Sequence, residues 1–577
     1  MSQNAYQQWL DHPAVDAATK AKLQAMRSNP SLVDDCFYRK LEFGTAGMRG
    51  IIGPGTNRMN IYTVRQAAAG LGSFLGAQYS REEGSSVSVA IAFDNRHCSQ
   101  LFAQETAKVL CGFGIGVYLY PQLRPVPMLS FAVRELQCVA GVMITASHNP
   151  KEYNGYKVYG SDGGQCEPEE ASCIIHEMEA YEDFESIPLM PLDAAENAGL
   201  LRYLGADMDE KYLSKVQTLC LNKHAFENVP EMKVVYTPLH GSGNMPVRES
   251  LKRAGMRLLV VEAQADTDPD FSTVASPNPE NPNALTMAME LAQTENASLC
   301  IGTDPDCDRV GVAVRRKDGS FFTLTGNMIG CILLFYVLET RKANGTLPTN
   351  GAVVKSIVST EMAVEIARSF GVEAFDVLTG FKFIAGKIAE FERTGEYTYL
   401  FGFEESFGYL AGAFVRDKDA VQASLLLCEA AAVYAARGMT LEDAMHELYA
   451  RYGWYEDEVD TLALDGREGM EKMANIMARF RQMPPKSLGE KRVVTTKDYL
   501  KGAGKNADGA PFAIDLPPSD VLLFEIEGGN KFVVRPSGTE PKVKFYYGAK
   551  GQSSAQAKSM VKAMKEDIRI ALLDEEF

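Results

Sequence analysis

The 577-residue chain has no C-x-x-C pair among its eleven cysteines and no H-E-x-x-H among its seven histidines, which removes the usual zinc spacings. The cysteines are odd in number and scattered from Cys36 to Cys428, a distribution expected of reduced, mostly buried thiols rather than a disulfide framework. No apolar run reaches the roughly 18 residues that a membrane-spanning helix needs. The start, MSQNAYQQWLDHPAVD, is polar and acidic and lacks the basic-then-apolar layout of a secretory leader, so a cytoplasmic protein is expected. G-x-x-x-x-G-K-[ST] is also absent, so nothing supports a P-loop kinase. Basic residues are outnumbered, 58 Lys and Arg against 75 Asp and Glu. The resulting charge of −17 argues against nucleic acid or an anionic membrane as partner. The expected partner is a small molecule, bound by a monomer or a small homo-oligomer, and an anionic substrate would need a local basic pocket.

What is present is a recurring α/β pattern. VSVAIAF (87–93), SQLFAQETAKVLCGF (99–113) and IGVYLY (115–120) read as strand, helix, strand. The same order returns in MKVVYT, MPVRESLKRAG and RLLVVEA (232–263), and again in AVVKSIV, TEMAVEIARSFG and VEAFDVL (352–378). Such alternation implies mixed or parallel sheets with helical crossovers, hence three topologically similar α/β domains. The end differs. VLLFEIEGGNKFVVRPSG holds two β-rich runs joined by Gly528-Gly529-Asn530, KVKFYYGA adds a third, and an amphipathic helix closes the chain. That is an α+β domain with an antiparallel sheet. The expected division is 1–204, 205–320, 321–448 and 449–577.

Three loops carry candidate chemistry. GVMITASHNP (141–150) ends a buried strand in Thr145-Ala146-Ser147-His148, and Pro150 forbids a continuing helix. A polar loop at a strand's carboxyl end is where open α/β sheets place their sites. GTDPDCDRVGVAV (302–314) alternates Asp304, Asp306 and Asp308, so in an extended loop three hard oxygen donors would converge on one side, a set suited to Mg²⁺. A calcium EF-hand is excluded because its glycine and glutamate positions are Arg309 and Arg315. LFGFEESFGY (400–409) ends another strand, with Glu404 and Ser406 facing the same way if strand geometry persists.

A fourth segment, RPSGTEPKVK (535–544), sets Arg535, Ser537, Thr539 and Lys542 around Gly538, a donor density that suits a phosphate. Further basic residues accompany these loops: Arg49 in FGTAGMRG, Lys157 in YNGYK, Lys382 after Thr379-Gly380-Phe381, and Arg416 with Lys418 in VRDKD. A serine, a magnesium site and a separate phosphate-and-polyol site imply phosphoryl transfer through a phosphoserine.

With these motifs in this order, the chain resembles the α-D-phosphohexomutase superfamily. TASHNP is similar to its phosphoserine loop, DPDCDR to its magnesium loop, FEESFG to its sugar loop and RPSGTEPK to its phosphate loop. The resemblance implies three α/β domains and a smaller α+β domain around a central cleft. It implies Ser147 as the phosphorylated nucleophile, sharing Mg²⁺ with Asp304, Asp306 and Asp308. Arg309 and His148 would contact that phosphate, while Arg49, Lys157 and Lys418 would serve acid–base and charge roles. Glu404 and Ser406, with Lys382 and Arg416, would hold the sugar phosphate, and Arg535, Ser537, Gly538 and Thr539 its non-reacting phosphate. The implied reaction interconverts glucose 1-phosphate and glucose 6-phosphate, with glucose 1,6-bisphosphate as activator and intermediate.

Phe403 replaces the glycine that many members carry before the glutamate, and RPSGTEP is similar to mannose-tolerant members. FGTAGMRG with GFEES resembles a longer subgroup holding phosphoglucomutases and phosphopentomutases. Mannose and pentose phosphates are therefore the alternative substrates. A phosphoserine-dependent phosphatase and a non-catalytic sugar-phosphate sensor are the alternatives of other classes.

Overall fold

The structure, a computed structural model, describes residues 2–44, 47–79, 87–464, 466–536 and 542–573, without the side chains of 466–468 and 573. They group into two compact units. The first comprises 1–324, 388–390 and 408–436, and the second 325–387, 391–407 and 437–577.

In the first unit, helices Ser2–Asp11, Ala17–Met26 and Pro30–Phe37, which the sequence patterns did not reveal, enclose a small core of Trp9, Leu23, Phe37 and Tyr62. Asp16 caps the second helix by accepting from Thr19 N at 2.9 Å, and its carboxylate also takes the Tyr62 hydroxyl at 2.7 Å. A seven-stranded sheet follows, ordered 43–44, 47–51, 153–160, 140–144, 88–93, 116–119, 201–203. The five-stranded second sheet is ordered 321–323, 310–315, 299–303, 233–237, 257–260. Phe321–Thr323 still pairs with Ala313–Arg315, so this sheet runs past the boundary expected at 320.

In the second unit, Gly351–Ser356 lies between Glu373–Val377 and Thr398–Glu404, all parallel. The C-terminal sheet is antiparallel throughout the path 454–463, 542–551, 530–536, 522–526, 491–498, 503–506, 511–513. Helices Gly466–Gln482 and Ser554–Leu573 supply Ile476, Phe480, Val561 and Met564 to the core over that sheet.

The three α/β sheets share one plan. Ser88–Phe93 has Gly116–Leu119 on one side and Ala140–Ile144 on the other, both parallel. Lys233–Thr237 stands the same way between Arg257–Val260 and Leu299–Thr303, as Gly351–Ser356 does in the third sheet. In each sheet the chain leaves the third of these strands, at its carboxyl end, into one of the loops of interest: 145–152, 304–309 and 405–407.

Helix Ala420–Ala436 is buried nearly throughout and groups with the first unit, where it packs on helix Asn244–Arg253 and strands 299–303 and 310–315. Its composition explains this: an almost continuously apolar helix needs cover on every side.

Candidate active site

Strand Ala140–Ile144 is fully buried and ends at Thr145. Ser147 then adopts φ = 52°, the left-handed region that a serine enters only when its surroundings hold it there. Those surroundings are visible. The Ser147 N–H donates to Thr145 Oγ1 at 2.8 Å, and Thr145 Oγ1 donates to Asp94 Oδ2 at 2.6 Å. Arg96, buried beside Asp94, spreads its guanidinium over four carbonyls: Nη1 donates to Pro150 O (2.9 Å) and Tyr153 O (3.1 Å), Nη2 to Ser147 O and Asn149 O. A Cβ on Gly155 would stand 2.5 Å from Thr145 O, so glycine lets strand Tyr153–Gly160 approach the loop.

Asp304, Asp306 and Asp308 lie on a tight turn, not the extended loop that their alternation suggested. Cys307 has φ = 53° and its N–H donates to Asp304 O at 2.9 Å. The turn still gathers the carboxylates: one oxygen from each falls within 4.8 Å of the others, all buried. Ser147 Oγ donates to Asp304 Oδ2 at 2.8 Å. Lys157 Nζ stands 3.0 Å from Asp306 Oδ2, and Lys418 Nζ 3.1 Å from Asp308 Oδ2 and 2.8 Å from Asp417 Oδ1. Arg309 pairs with Glu280 and approaches Asp308 Oδ1 to 3.6 Å.

Burial, then repulsion from its two neighbours, pushes the Asp304 carboxyl well up, and burial raises Asp308 likewise. Burial acts most strongly on Asp306 too, but Lys157, a hydrogen bond with Asp304 and Lys418 together outweigh it and hold that carboxyl low. His148 Nδ1 is 3.3 Å from Ser147 Oγ. Burial, then Arg309 and Arg49, lowers the imidazole well below its usual value, so the ring is neutral at neutral pH.

The donor chemistry fits a hard divalent cation: oxygen donors only, with Asp306 Oδ1 and Asp308 Oδ1 buried and lacking a hydrogen-bond partner among the described residues.

The first unit thus brings together Ser147, His148, Lys157, the three aspartates, Arg309 and Lys418. Arg49, on the exposed side of strand Gly47–Ile51, donates to Asn149 Oδ1 at 3.2 Å. Arg416 is buried, its Nη1 donating to Ala413 O and its N–H to Ser130 Oγ at 2.9 Å.

In the second unit, Glu404 is buried at the end of its strand, and its Oε1 accepts from Gly380 N at 2.7 Å. The strand stops there. Residues 405–407 form a turn in which Phe407 has φ = 64°, so the alternation expected to align Glu404 with Ser406 does not carry through. Lys382 begins helix Phe381–Thr394, its Nζ 5.3 Å from the Phe383 ring centre. Arg535 is half-buried on strand Asn530–Pro536, whereas Ser537, Gly538 and Thr539 lie outside the described residues.

The sequence reading missed Asp94, Arg96, Glu280 and Asp417. Each orders or pairs with a residue it did find. The signal for the first two was the D-x-R of IAFDNRHCS at another strand's carboxyl end.

Four family profiles match in order: phosphoglucomutase/phosphomannomutase alpha/beta/alpha domain I over residues 40–185, domain II over 210–319, domain III over 325–452 and the C-terminal domain over 503–566. A curated phosphoglucomutase of Staphylococcus aureus strain MSSA476 is 38% identical over 531 residues, 92% of this chain and 93% of that protein. Its counterpart from strain MRSA252 is 39% identical over 517 residues, 89% and 90% of the two chains. Among solved structures, the open form of the Paramecium phosphoprotein pp63/parafusin matches with TM-score 0.66 and 18% identity, covering 92% of this chain and 95% of that one. A phosphoglucomutase/phosphomannomutase family protein from Burkholderia thailandensis matches with TM-score 0.65 and 18% identity, covering 92% and 98%. These two structures share the fold.

Proposed function

The chain belongs to the phosphoglucomutase/phosphomannomutase family, and from that premise we propose that it interconverts glucose 1-phosphate and glucose 6-phosphate through a phosphorylated Ser147. The observation that carries the reading is the Ser147 hydroxyl, 2.8 Å from a carboxylate of a buried aspartate cluster flanked by Lys157 and Lys418.

In the forward direction the sugar O6 attacks the phosphorus on Ser147, the P–Oγ bond breaks and glucose 1,6-bisphosphate forms. The bisphosphate turns over without leaving. Ser147 Oγ then attacks the phosphorus on O1, the P–O1 bond breaks and O1 takes up a proton in place of the one O6 gave up, restoring the phosphoserine and releasing glucose 6-phosphate. Such transfer is a matter of positioning and charge compensation. The left-handed Ser147 backbone and its hold by Arg96 and Thr145 keep Oγ in place. Lys157, Lys418 and Arg309 compensate the anionic charge, and the neutral His148 imidazole beside Oγ can take or return a proton. Asp304, Asp306 and Asp308, with an oxygen on Ser147, would hold Mg²⁺; when bound, the ion supplies neutralisation of the transferring phosphoryl group. Glu404 and Ser406, with Lys382 and Arg416, are assigned to the sugar phosphate, and Arg535, Ser537, Gly538 and Thr539 to its other phosphate. Arg49 is assigned a charge role beside the serine loop.

Among the described residues no single helix is long and apolar enough to cross a membrane. We assign the protein to the cytoplasm, a reading that the mostly buried, unpaired cysteines support.

The test is a kinetic panel of glucose, mannose, N-acetylglucosamine and ribose 1-phosphates with Mg²⁺ and glucose 1,6-bisphosphate, reading both isomer formation and inorganic phosphate. Isomerisation of glucose 1-phosphate without phosphate release is expected. Preference for ribose or mannose would move the assignment within the family, and net phosphate release would replace it with a phosphatase.

A further inference from the structure

The strand that carries Arg535 is tied to the third sheet of its own unit by a buried lysine. Along Asn530–Pro536 the side chains alternate. Phe532 and Val534 pack with Ile476, Phe480 and Val561 beneath the two C-terminal helices. Val533 packs instead with Ile357, Val358 and Leu378, just past the ends of strands 351–356 and 373–377. Lys531 shares the Val533 face, as Arg535 does, and is only 4% exposed. Its Nζ donates to Ile357 O at 2.9 Å, to Glu361 Oε1 at 2.8 Å and to Ser359 O. Glu361 Oε1 also accepts from Lys355 at 3.1 Å, and Lys355 Nζ lies 2.7 Å from Asp376 Oδ1. Burial works against the charge on Glu361, but Lys355 and Lys531 together hold its carboxyl well below the usual range.

The segment that Lys531 grips in turn holds the loop bearing Glu404 and Ser406. Glu405 N donates to Ser359 Oγ at 3.1 Å, Ser359 Oγ lies 2.8 Å from Ser356 Oγ, and Ser356 Oγ lies 3.2 Å from Glu405 Oε2. From behind, the loop rests on Gly326, where a Cβ would fall 1.8 Å from Glu405 O, so only glycine leaves it room. A fully buried ammonium is costly unless its protons are all taken, and here three acceptors take them. Among the described residues every hydrogen-bond acceptor of Lys531 lies on the 357–361 segment. From its own sheet it faces only the charge of Asp457, without a hydrogen bond among the described residues. The bonding therefore spends the lysine's charge on the relative placement of two loops.

We propose that Lys531 is a positioning residue that fixes the distance between the Glu404–Ser406 loop and Arg535, matching it to a hexose phosphate rather than a shorter pentose phosphate. The inference rests on the reading that this loop holds the sugar and Arg535 the distal phosphate.

The test uses the full chain with Lys531→Met, Lys531→Arg and Ser359→Ala. For each, kcat and KM are measured with glucose 1-phosphate and ribose 1-phosphate, with intact mass for phosphate on Ser147. Losing a hydrogen bond to a charged group is worth roughly tenfold or more. Lys531→Met should raise KM for glucose 1-phosphate by about that factor, lower the glucose-to-ribose ratio of kcat/KM, and leave the phosphoserine in place. Lys531→Arg should recover part of the ratio, and Ser359→Ala should lower it in the same direction. A lysine that merely stabilises the fold would reduce the active fraction, cutting kcat alike for both sugars with KM and the ratio unmoved; that result overturns the proposal. If Lys531→Met does not fold, an unmoved ratio in Ser359→Ala overturns it equally. A wild-type chain with no mutase turnover would sink the functional reading as well, whereas normal wild-type turnover with an unmoved ratio would sink the positioning role alone.

Discussion

Replacing Arg96 by lysine keeps a positive charge beside the buried Asp94 but removes the fork that spans the serine loop. Arg96 donates to four carbonyls, two through each terminal nitrogen, at Ser147, Asn149, Pro150 and Tyr153. A single ammonium cannot reach both pairs. With two of the four bonds lost at about 1.5 kcal/mol each, the low end for bonds to a charged group, the loop forfeits about 3 kcal/mol. That equals or exceeds the roughly 1–3 kcal/mol needed to keep a serine in left-handed geometry, so Ser147 is expected to relax from φ = 52°. If the whole loss appears in the transition state, the rate falls by about a hundredfold. The assay combines mutase kinetics with glucose 1-phosphate, intact-mass phosphate content and amide exchange across residues 145–150. The lysine variant should remain folded, lose most of its rate and exchange faster in that loop. A wild-type rate with unchanged exchange would show that the guanidinium is not what holds the serine.

Ser147→Ala should abolish turnover and lack the covalent phosphate that intact mass is expected to show on wild type. Asp306→Asn keeps size but removes one anionic oxygen donor, so activity should fall and magnesium titration should shift to higher concentration; an unchanged titration would refute the metal assignment. Asp16→Ala should cost about 0.5–2 kcal/mol in urea unfolding at neutral pH through loss of the helix cap. Although burial opposes it, hydrogen bonds from Thr19 and Tyr62 depress the Asp16 carboxyl to about 2 in the folded chain against 3.8 for an unperturbed group. The depressed value means the contribution is complete above the unfolded value and fades as pH falls toward the folded one. The gap between wild type and Asp16→Ala should therefore narrow between about pH 4 and pH 2.

Strand–helix alternation was legible in the sequence because buried parallel strands are continuous apolar runs: 88–93, 233–237 and 351–356 all appear where that pattern placed them. The antiparallel C-terminal hairpin was equally plain from Gly528-Gly529-Asn530, whose glycines have φ = 84° and 80°. Helices 2–37 escaped notice because short amphipathic helices closed by aromatic contacts have little periodicity to read. At the site, residues that touch the chemistry sit in dense polar motifs and were visible. Residues that brace them are harder to pick out: Lys531 is a lone lysine in a mostly apolar strand, and Arg96 sits in the short D-x-R turn after strand Ser88–Phe93, so tertiary pairing is what assigns them their partners. Local alternation misled twice, at Asp304–Asp308 and at Glu404–Ser406, because both strands end in tight turns with a residue at positive φ.

The chain's path between its two units has a consequence for the order of synthesis. Segment 408–436 belongs with residues 1–324, yet the polypeptide passes through 325–387 and 391–407 before supplying it. A nascent chain therefore completes both of the first two sheets long before Lys418 exists to meet Asp308 and before helix Ala420–Ala436 arrives to cover strands 299–303 and 310–315. At ordinary elongation rates the delay is on the order of ten seconds. Through that interval the emerging chain exposes an apolar face and carries three crowded carboxylates without their second lysine. Chaperone engagement on the ribosome should therefore peak after residue 324 and end once residue 436 has cleared the exit tunnel.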